Sequence, residues 1–330
     1  MMSFWDLGGL TLGIALLVVG GNFLVQGASD LAKALGVSSL IIGLTVVAFG
    51  TSAPELAVNI LASYDGNPDI SFGNVIGSNI ANIGLILGCA ALIKPLAISS
   101  TIIKREIPMM VLASLMILIL ASDRFLTHGP DIFDRSDGLV LLMLFCVFMY
   151  YTVAEVFRNR DLDPLVTQAE RSSDGRSLRQ LLVSLVMTVG GFALLIAGGE
   201  FTVSSATRLA ESLGVPQVII ALTIVAVGTS LPELVTCIIA TWKGQTDLAI
   251  GNVVGSNIFN LLFITGLSST FKSIPVPGAG GFFDLGVMIF LSVLLFIICL
   301  TDDKRIVRWE GGLLICMYLC YHAYRMIGMG

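Results

Sequence analysis

Charged residues are what this chain has least of. Asp, Glu, Lys and Arg make up 12% of its 330 residues, 55% are hydrophobic, and the mean hydropathy is +0.92. That leaves too few polar groups to cover a water-soluble globule of this size. The chain therefore reads as an integral membrane protein, with lipid around it and no nucleic-acid partner. Cysteines outside apolar runs are lacking too: Cys89, Cys146, Cys237, Cys299, Cys316 and Cys320 all fall inside such runs, where Cys behaves as a small hydrophobe. No disulfide framework is implied. Cys316 and Cys320 sit one helical turn apart, which by itself is too little for a zinc site. The formal charge of −5 carries little weight, because membrane orientation follows where the basic residues lie.

What is abundant is hydrophobic length. Runs long enough to cross a hydrocarbon layer of roughly 30 Å occur at approximately 7–29, 38–63, 70–93, 106–121, 138–157, 179–207, 216–242, 248–270, 283–300 and 306–327. Ten helical spans are expected, giving an all-α polytopic membrane protein. With the N-terminus outside, thirteen Lys and Arg fall on the inner side and five on the outer. This bias predicts a multi-pass protein of the inner (plasma) membrane with both termini outside.

The chain also repeats itself. "LTVVAFGTSAPEL" at 44–56 and "LTIVAVGTSLPEL" at 222–234 agree at ten of thirteen positions, and "GNVIGSNIAN" at 73–82 and "GNVVGSNIFN" at 251–260 at eight of ten. The offset is 178 in both cases, and it extends back to "GGNFLVQGASDLAKALGV" from 20 and "GGEFTVSSATRLAESLGV" from 198. Two five-helix repeats are therefore expected, 1–157 (motif 43–82) and 178–330 (motif 221–260), joined by a polar cytoplasmic linker at 158–177. An odd number of spans per half inverts the second half relative to the first.

Each motif sets proline beside glutamate in an apolar run. Pro54 and Pro232 lack an amide hydrogen, so the carbonyls of Gly50 and Gly228 lose their helical partners. Beside them stand the hydroxyls of Thr51, Ser52, Thr229 and Ser230 and the carboxylates of Glu55 and Glu233. An uncompensated acid at bilayer depth costs about 3 kcal/mol, and no Lys, Arg or His shares those spans at similar depth. The balancing charge must come from a bound cation or from protons. A set made only of oxygens favours Na⁺ or Ca²⁺ over zinc or copper, and its mixed character suits Ca²⁺ better than Mg²⁺. On the second motif Ser78 and Asn82, like Ser256 and Asn260, share a helix face and are expected as ligands. Asn79 and Asn257 are expected to bond helices or backbone. Gly73, Gly77, Gly251 and Gly255 have a spacing that permits close helix approach. Asp69 and Asp247 are expected as helix N-caps, and Glu200 as an interfacial group facing water.

These paired motifs resemble the α-repeats of the cation/Ca²⁺ exchanger superfamily, most closely its prokaryotic sodium/calcium exchanger branch, over nearly the whole chain. The resemblance implies a transporter and not an enzyme: a secondary antiporter exchanging Na⁺ for Ca²⁺ by alternating access, with no cofactor. It implies a metal site of Ala48, Thr51, Ser52, Glu55, Ser78 and Asn82 with Ala226, Thr229, Ser230, Glu233, Ser256 and Asn260, the alanines through backbone carbonyls. It also implies that spans one and six move against the other eight. Where some relatives carry Asp at one of the positions of Asn82 and Asn260, this chain has Asn at both, so the acid count stays at two. Exchange of more than two Na⁺ per Ca²⁺ would then move net charge. H⁺ coupling through Glu55 and Glu233 is the alternative; a passive Ca²⁺ channel and an intramembrane hydrolase are more distant ones.

Overall fold

A computed structural model describes residues 4–65, 68–126, 128–159, 178–213, 226–278, 280–301 and 304–328. The linker 158–177 and the stretch 222–225 of the second motif thus lie mostly or wholly outside the described residues. Among those described, six helices are long and apolar enough to cross a membrane, and the bent pair Ser39–Thr51 and Ala53–Tyr64 makes a seventh. The other expected spans are also helical. They appear as Ile107–Leu120 preceded by the π-helical turn Ile102–Glu106, as Leu231–Trp242, and as Arg308–Gly328. The chain is an all-α polytopic membrane protein; the extended pieces among the described residues are four two-residue strands.

Packing divides the chain into two compact units, each drawing on both halves of the sequence: Met1–Thr51 with Val147–Asn252, and Ser52–Cys146 with Val253–Gly330. The first is dominated by two helices, Phe4–Leu35 and Leu178–Ser212, of 32 and 35 residues. At 1.5 Å per residue they are roughly 48 and 52 Å long, well over the hydrocarbon thickness.

Small residues recur every seven positions along both: Gly13, Gly20 and Gly27 on one, Ser184, Gly191, Gly198 and Ser205 on the other. The helices run antiparallel along that stripe. A Cβ added to Gly20 would lie 2.8 Å from the Leu195 amide nitrogen and 3.0 Å from the Gly191 carbonyl oxygen. At Gly13 the neighbours are the Thr202 nitrogen (2.7 Å) and Gly198 oxygen (3.0 Å), and at Gly27 the Thr188 nitrogen (2.7 Å) and Ser184 oxygen (2.9 Å). Backbone touches backbone along four turns, the contact that small residues permit in a membrane.

The second unit is held by pairs that exchange partners between the sequence repeats. Leu96–Ala97 pairs antiparallel with Arg305–Ile306, and Ile132–Phe133 with Ile274–Pro275. Gly88 meets Gly311 carbonyl to Cβ position at 2.9 Å, and Gly138 meets Gly266 in the same way at 2.6 Å. Ser114 and Ser292, which are 178 apart, face each other through their hydroxyls at 3.4 Å. Each is therefore bonded to its own repeat equivalent.

The glycine stripe generates a prediction. Gly20→Ala should lower the unfolding temperature in detergent, because overpacking by one methyl costs about 1–3 kcal/mol and outweighs the helix-propensity gain of about 1 kcal/mol. Gly8→Ala, whose Cβ meets nothing within 4 Å, should be neutral or stabilising. Equal shifts in the two variants would contradict the stripe.

Candidate functional site

In the first motif the helix Ala48–Thr51 ends, Ser52 forms a turn, and a new helix Ala53–Asp65 starts with Pro54 in its first turn. In the second, Ser230 (φ −88°, ψ 7°) caps the helix Leu231–Trp242, and Pro232 again sits in the first turn. Proline is tolerated there because first-turn amides have no helical acceptor. The new ladders begin with Leu56 N–H donating to Ser52 O (3.1 Å) and Leu234 N–H to Ser230 O (3.0 Å). Each glutamate thus lies one residue beyond its proline, in the positive first turn of a helix. Glu55 and Glu233 are each 1% exposed.

Within the first unit, Leu231–Trp242 packs against both long helices and against Ala48–Thr51. Thr51 is fully buried and its hydroxyl donates to Asn252 Oδ1 at 3.0 Å. Asn252 Nδ2 has no hydrogen-bond partner among the described residues. Ser230 and Ala48 are buried, Thr229 is half-buried, and Ala226 opens the short helix Ala226–Gly228. Asn252 was not singled out from sequence, although the "GNV" that contains it is part of the repeated motif.

Within the second unit, Ala53–Asp65 packs against Pro68–Ala81 and against the π-helical segment Phe259–Ile264. Ser52, Ser78, Asn82, Ser256 and Asn260 are all buried. Asn82 Nδ2 donates to Asn257 Oδ1 at 2.9 Å, tying span three to span eight, and Asn257 Nδ2 reaches Met110 Sδ at 3.5 Å. Asn79 Nδ2 donates to its own helix at Val75 O (2.7 Å). The bonds of Asn79 and Asn82 use their amide nitrogens and leave Asn79 Oδ1 and Asn82 Oδ1 over; Ser256 Oγ and both amide atoms of Asn260 also have no partner among the described residues. A buried polar atom without a partner costs about 1–3 kcal/mol. Several oxygens in one unit sharing that condition fit a cation as the missing partner.

π-helical turns begin at Asn82 and at Phe259, one residue before Asn260. They are common at functional sites, and no sequence signal announces them. The wider turn at Asn260 is secured by Thr265, whose hydroxyl donates to Asn260 O at 3.0 Å.

Below Glu55, Asn59 is fully buried. Its Nδ2 donates to Glu55 O (2.8 Å), and its Oδ1 accepts from Ser71 Oγ (2.5 Å) on the next helix. In the second repeat the equivalent positions are Cys237 and Ala249, linked only by a 3.9 Å contact from Sγ to a carbonyl oxygen.

Some expectations need correcting. Asp247 lies inside the first turn of Thr246–Ile258 and not at its cap, because Ala249 N–H already donates to Gln245 O. The Asp69 side chain lies outside the described residues. Gly251 does make a close approach, to Leu40 O (2.9 Å) and Gly43 Cα (3.3 Å), but Gly73 and Gly77 meet nothing within 4 Å among the described residues. Glu200 is exposed. Sequence reading passed over two further buried acids, Glu106 and Glu310. Glu106 pairs with Arg105, and Glu310 accepts from Thr301 Oγ1 (3.1 Å) and Val307 N–H (2.9 Å). Near Cys316 and Cys320, His322 Nδ1 faces Tyr318 O at 3.2 Å, and no group of three His, Cys, Asp or Glu among the described residues is placed to hold a metal.

The sequence pattern of the family described as "Sodium/calcium exchanger protein" matches residues 5–154 and 183–327. The chain is similar to the sodium/calcium exchanger MaX1 of Methanosarcina acetivorans, 36% identical over 94% of this chain and 96% of that one. It is also similar to the inner membrane protein YrbG of Escherichia coli, 35% identical over 92% of each. Among solved structures, the sodium-calcium exchanger NCX_Mj soaked with Na⁺ and Ca²⁺ superposes with a TM-score of 0.79 at 31% identity, covering 98% of this chain and 99% of that one. On both its sequence pattern and its fold, the chain belongs to the sodium/calcium exchanger protein family.

Proposed function

We propose that this chain is a secondary antiporter that exchanges Na⁺ for Ca²⁺ across the inner (plasma) membrane by alternating access. The observation that carries this reading is the pair Glu55 and Glu233, one in each copy of the motif and each 1% exposed. Ala48, Thr51, Ser52, Ser78, Asn82, Ala226, Thr229, Ser230, Ser256 and Asn260 complete the ligand set. The unpartnered oxygens of Asn82, Asn260 and Ser256 support their place in it. The two repeats, 1–157 and 178–330, are inverted, and both termini lie outside, as the thirteen-to-five distribution of basic residues favours.

Two carboxylates balance one Ca²⁺ or two Na⁺. Any further Na⁺ leaves net charge to move, so exchange beyond two to one is electrogenic. The proton-coupled alternative is separated by flux: Ca²⁺ uptake driven by a pH gradient without a Na⁺ gradient would replace the sodium reading.

Three outcomes test this reading in vesicles loaded with Na⁺ and supplied with radioactive calcium. Glu55→Gln or Glu233→Gln should cut uptake about 100-fold or more, the equivalent of losing about 3 kcal/mol of counter-charge, while eluting as folded protein. Near-normal exchange in both would overturn the assignment. Clamping the membrane potential with potassium and valinomycin should change the wild-type rate; indifference to the clamp would mean electroneutral exchange. Asn59→Ala strands the Ser71 hydroxyl and loosens the Glu55 helix. It should cost about 1–3 kcal/mol of stability and weaken the apparent Ca²⁺ affinity several-fold, with Cys237→Ala doing neither.

A further inference from the structure

The second unit carries buried asparagines in two pairs at the 178-residue offset: Asn79 with Asn257, and Asn82 with Asn260. Two fully buried methionines, Met110 and Met288, stand at the same offset. One chain of bonds links half of this set. Asn82 Nδ2 donates to Asn257 Oδ1 at 2.9 Å, and Asn257 Nδ2 reaches Met110 Sδ at 3.5 Å.

Exchanging the two repeats gives a mirror chain, from Asn260 Nδ2 to Asn79 Oδ1 and from Asn79 Nδ2 to Met288 Sδ. It is not made here. Asn79 Nδ2 donates instead to its own helix at Val75 O (2.7 Å). The two atoms of the mirror bond, Asn79 Oδ1 and Asn260 Nδ2, have no partner among the described residues. The elements that would make it are adjacent: Pro68–Ala81, which carries Asn79, packs against both Phe259–Ile264 and Gly281–Leu300. A buried donor and a buried acceptor each lose by going unpaired, and pairing Asn260 with Asn79 satisfies both at once.

We propose that Asn79 and Asn257 are positioning residues that hold the two late asparagines in turn: Asn257 holds Asn82 in this conformation, and Asn79 holds Asn260 in the one open to the opposite face. In an inverted duplication, exchanging the conformations of the halves converts one access state into the other. Identical residues at each paired position make the two chains alternatives of similar energy. Each bond takes the amide nitrogen and leaves Oδ1, of Asn82 here and of Asn260 in the alternative, for an ion. The exchange of roles rests on the antiport reading above; the bond between Asn79 and Asn260 does not.

Side-specific Ca²⁺ flux in vesicles tests the exchange of roles. Asn257→Ala should shift the ratio of apparent Ca²⁺ affinities at the two membrane faces about fivefold, the worth of one neutral hydrogen bond. Asn79→Ala should shift it about as far in the opposite direction, and the double variant should restore it. A purely structural role would lower the unfolding temperature and leave the ratio alone. If an alanine variant does not fold, Met110→Leu and Met288→Leu, which conserve volume, should shift the ratio in the same opposed senses. If wild-type vesicles carry no Ca²⁺, the antiport reading has failed, and thermal unfolding in detergent decides the bond, measured without ion and with Na⁺ or Ca²⁺. Asn79→Ala and Asn260→Ala should then be non-additive in at least one condition, as Asn82→Ala and Asn257→Ala should be. Shifts in the same direction for Asn79→Ala and Asn257→Ala, an unmoved ratio, or additivity of the Asn79 and Asn260 variants in every condition would each overturn the proposal.

Discussion

Inside a hydrocarbon layer a carboxylate must be balanced within reach, because water is not there to do it. Among the described residues four glutamates are buried, and their surroundings differ. Glu106 has Arg105 beside it, and Glu310 gathers a hydroxyl and a backbone amide. Those are permanent arrangements, and they fix structure. Glu55 and Glu233 stand where helices restart, in first turns whose amides carry partial positive charge.

The backbone is irregular around both glutamates. A continuous helix through Thr51 to Glu55 would bury every carbonyl in its own ladder and offer an ion only side chains. Proline breaks the helix there, and π-turns beginning at Asn82 and Phe259 interrupt the regular ladder. Such loosened backbone survives only if its surroundings are firm. Two-residue strand clips, glycine crossings and the Asn82 to Asn257 bond supply that firmness in the second unit; backbone contact along the small-residue stripe supplies it in the first.

Much of this was legible in the sequence because the deciding quantities are local. Ten apolar stretches, a duplicated motif and proline beside glutamate need no tertiary knowledge to read. The heptad of glycines was equally visible and went unread, since "GG" at 20 and 198 served only to align the repeats. Other features were hidden for a physical reason. Asn59 and Ser71 matter because two helices bring them to 2.5 Å, and Asn252 matters because Thr51 finds it 201 residues away. The π-turns depend on which carbonyl a hydroxyl such as that of Thr265 can reach, which the sequence does not state. The expectation that Asp247 caps its helix failed because the chain began its helix two residues earlier, with Gln245 already accepting the first bond.

The duplication is also less equal than its motifs suggest, and the inequality falls on second-rank residues. Asn59 with Ser71 becomes Cys237 with Ala249, exchanging a short hydrogen bond for a weak sulfur contact. Thr265, which secures the Asn260 carbonyl, has Leu87 as its equivalent, which has no hydroxyl to offer. Asn82 is bonded to Asn257, whereas both amide atoms of Asn260 have no partner among the described residues. The first repeat thus bonds its glutamate helix and its late asparagine; the second bonds a backbone carbonyl and leaves its asparagine amide without a partner among the described residues. Residues identical in type are therefore held by unlike surroundings in the two repeats.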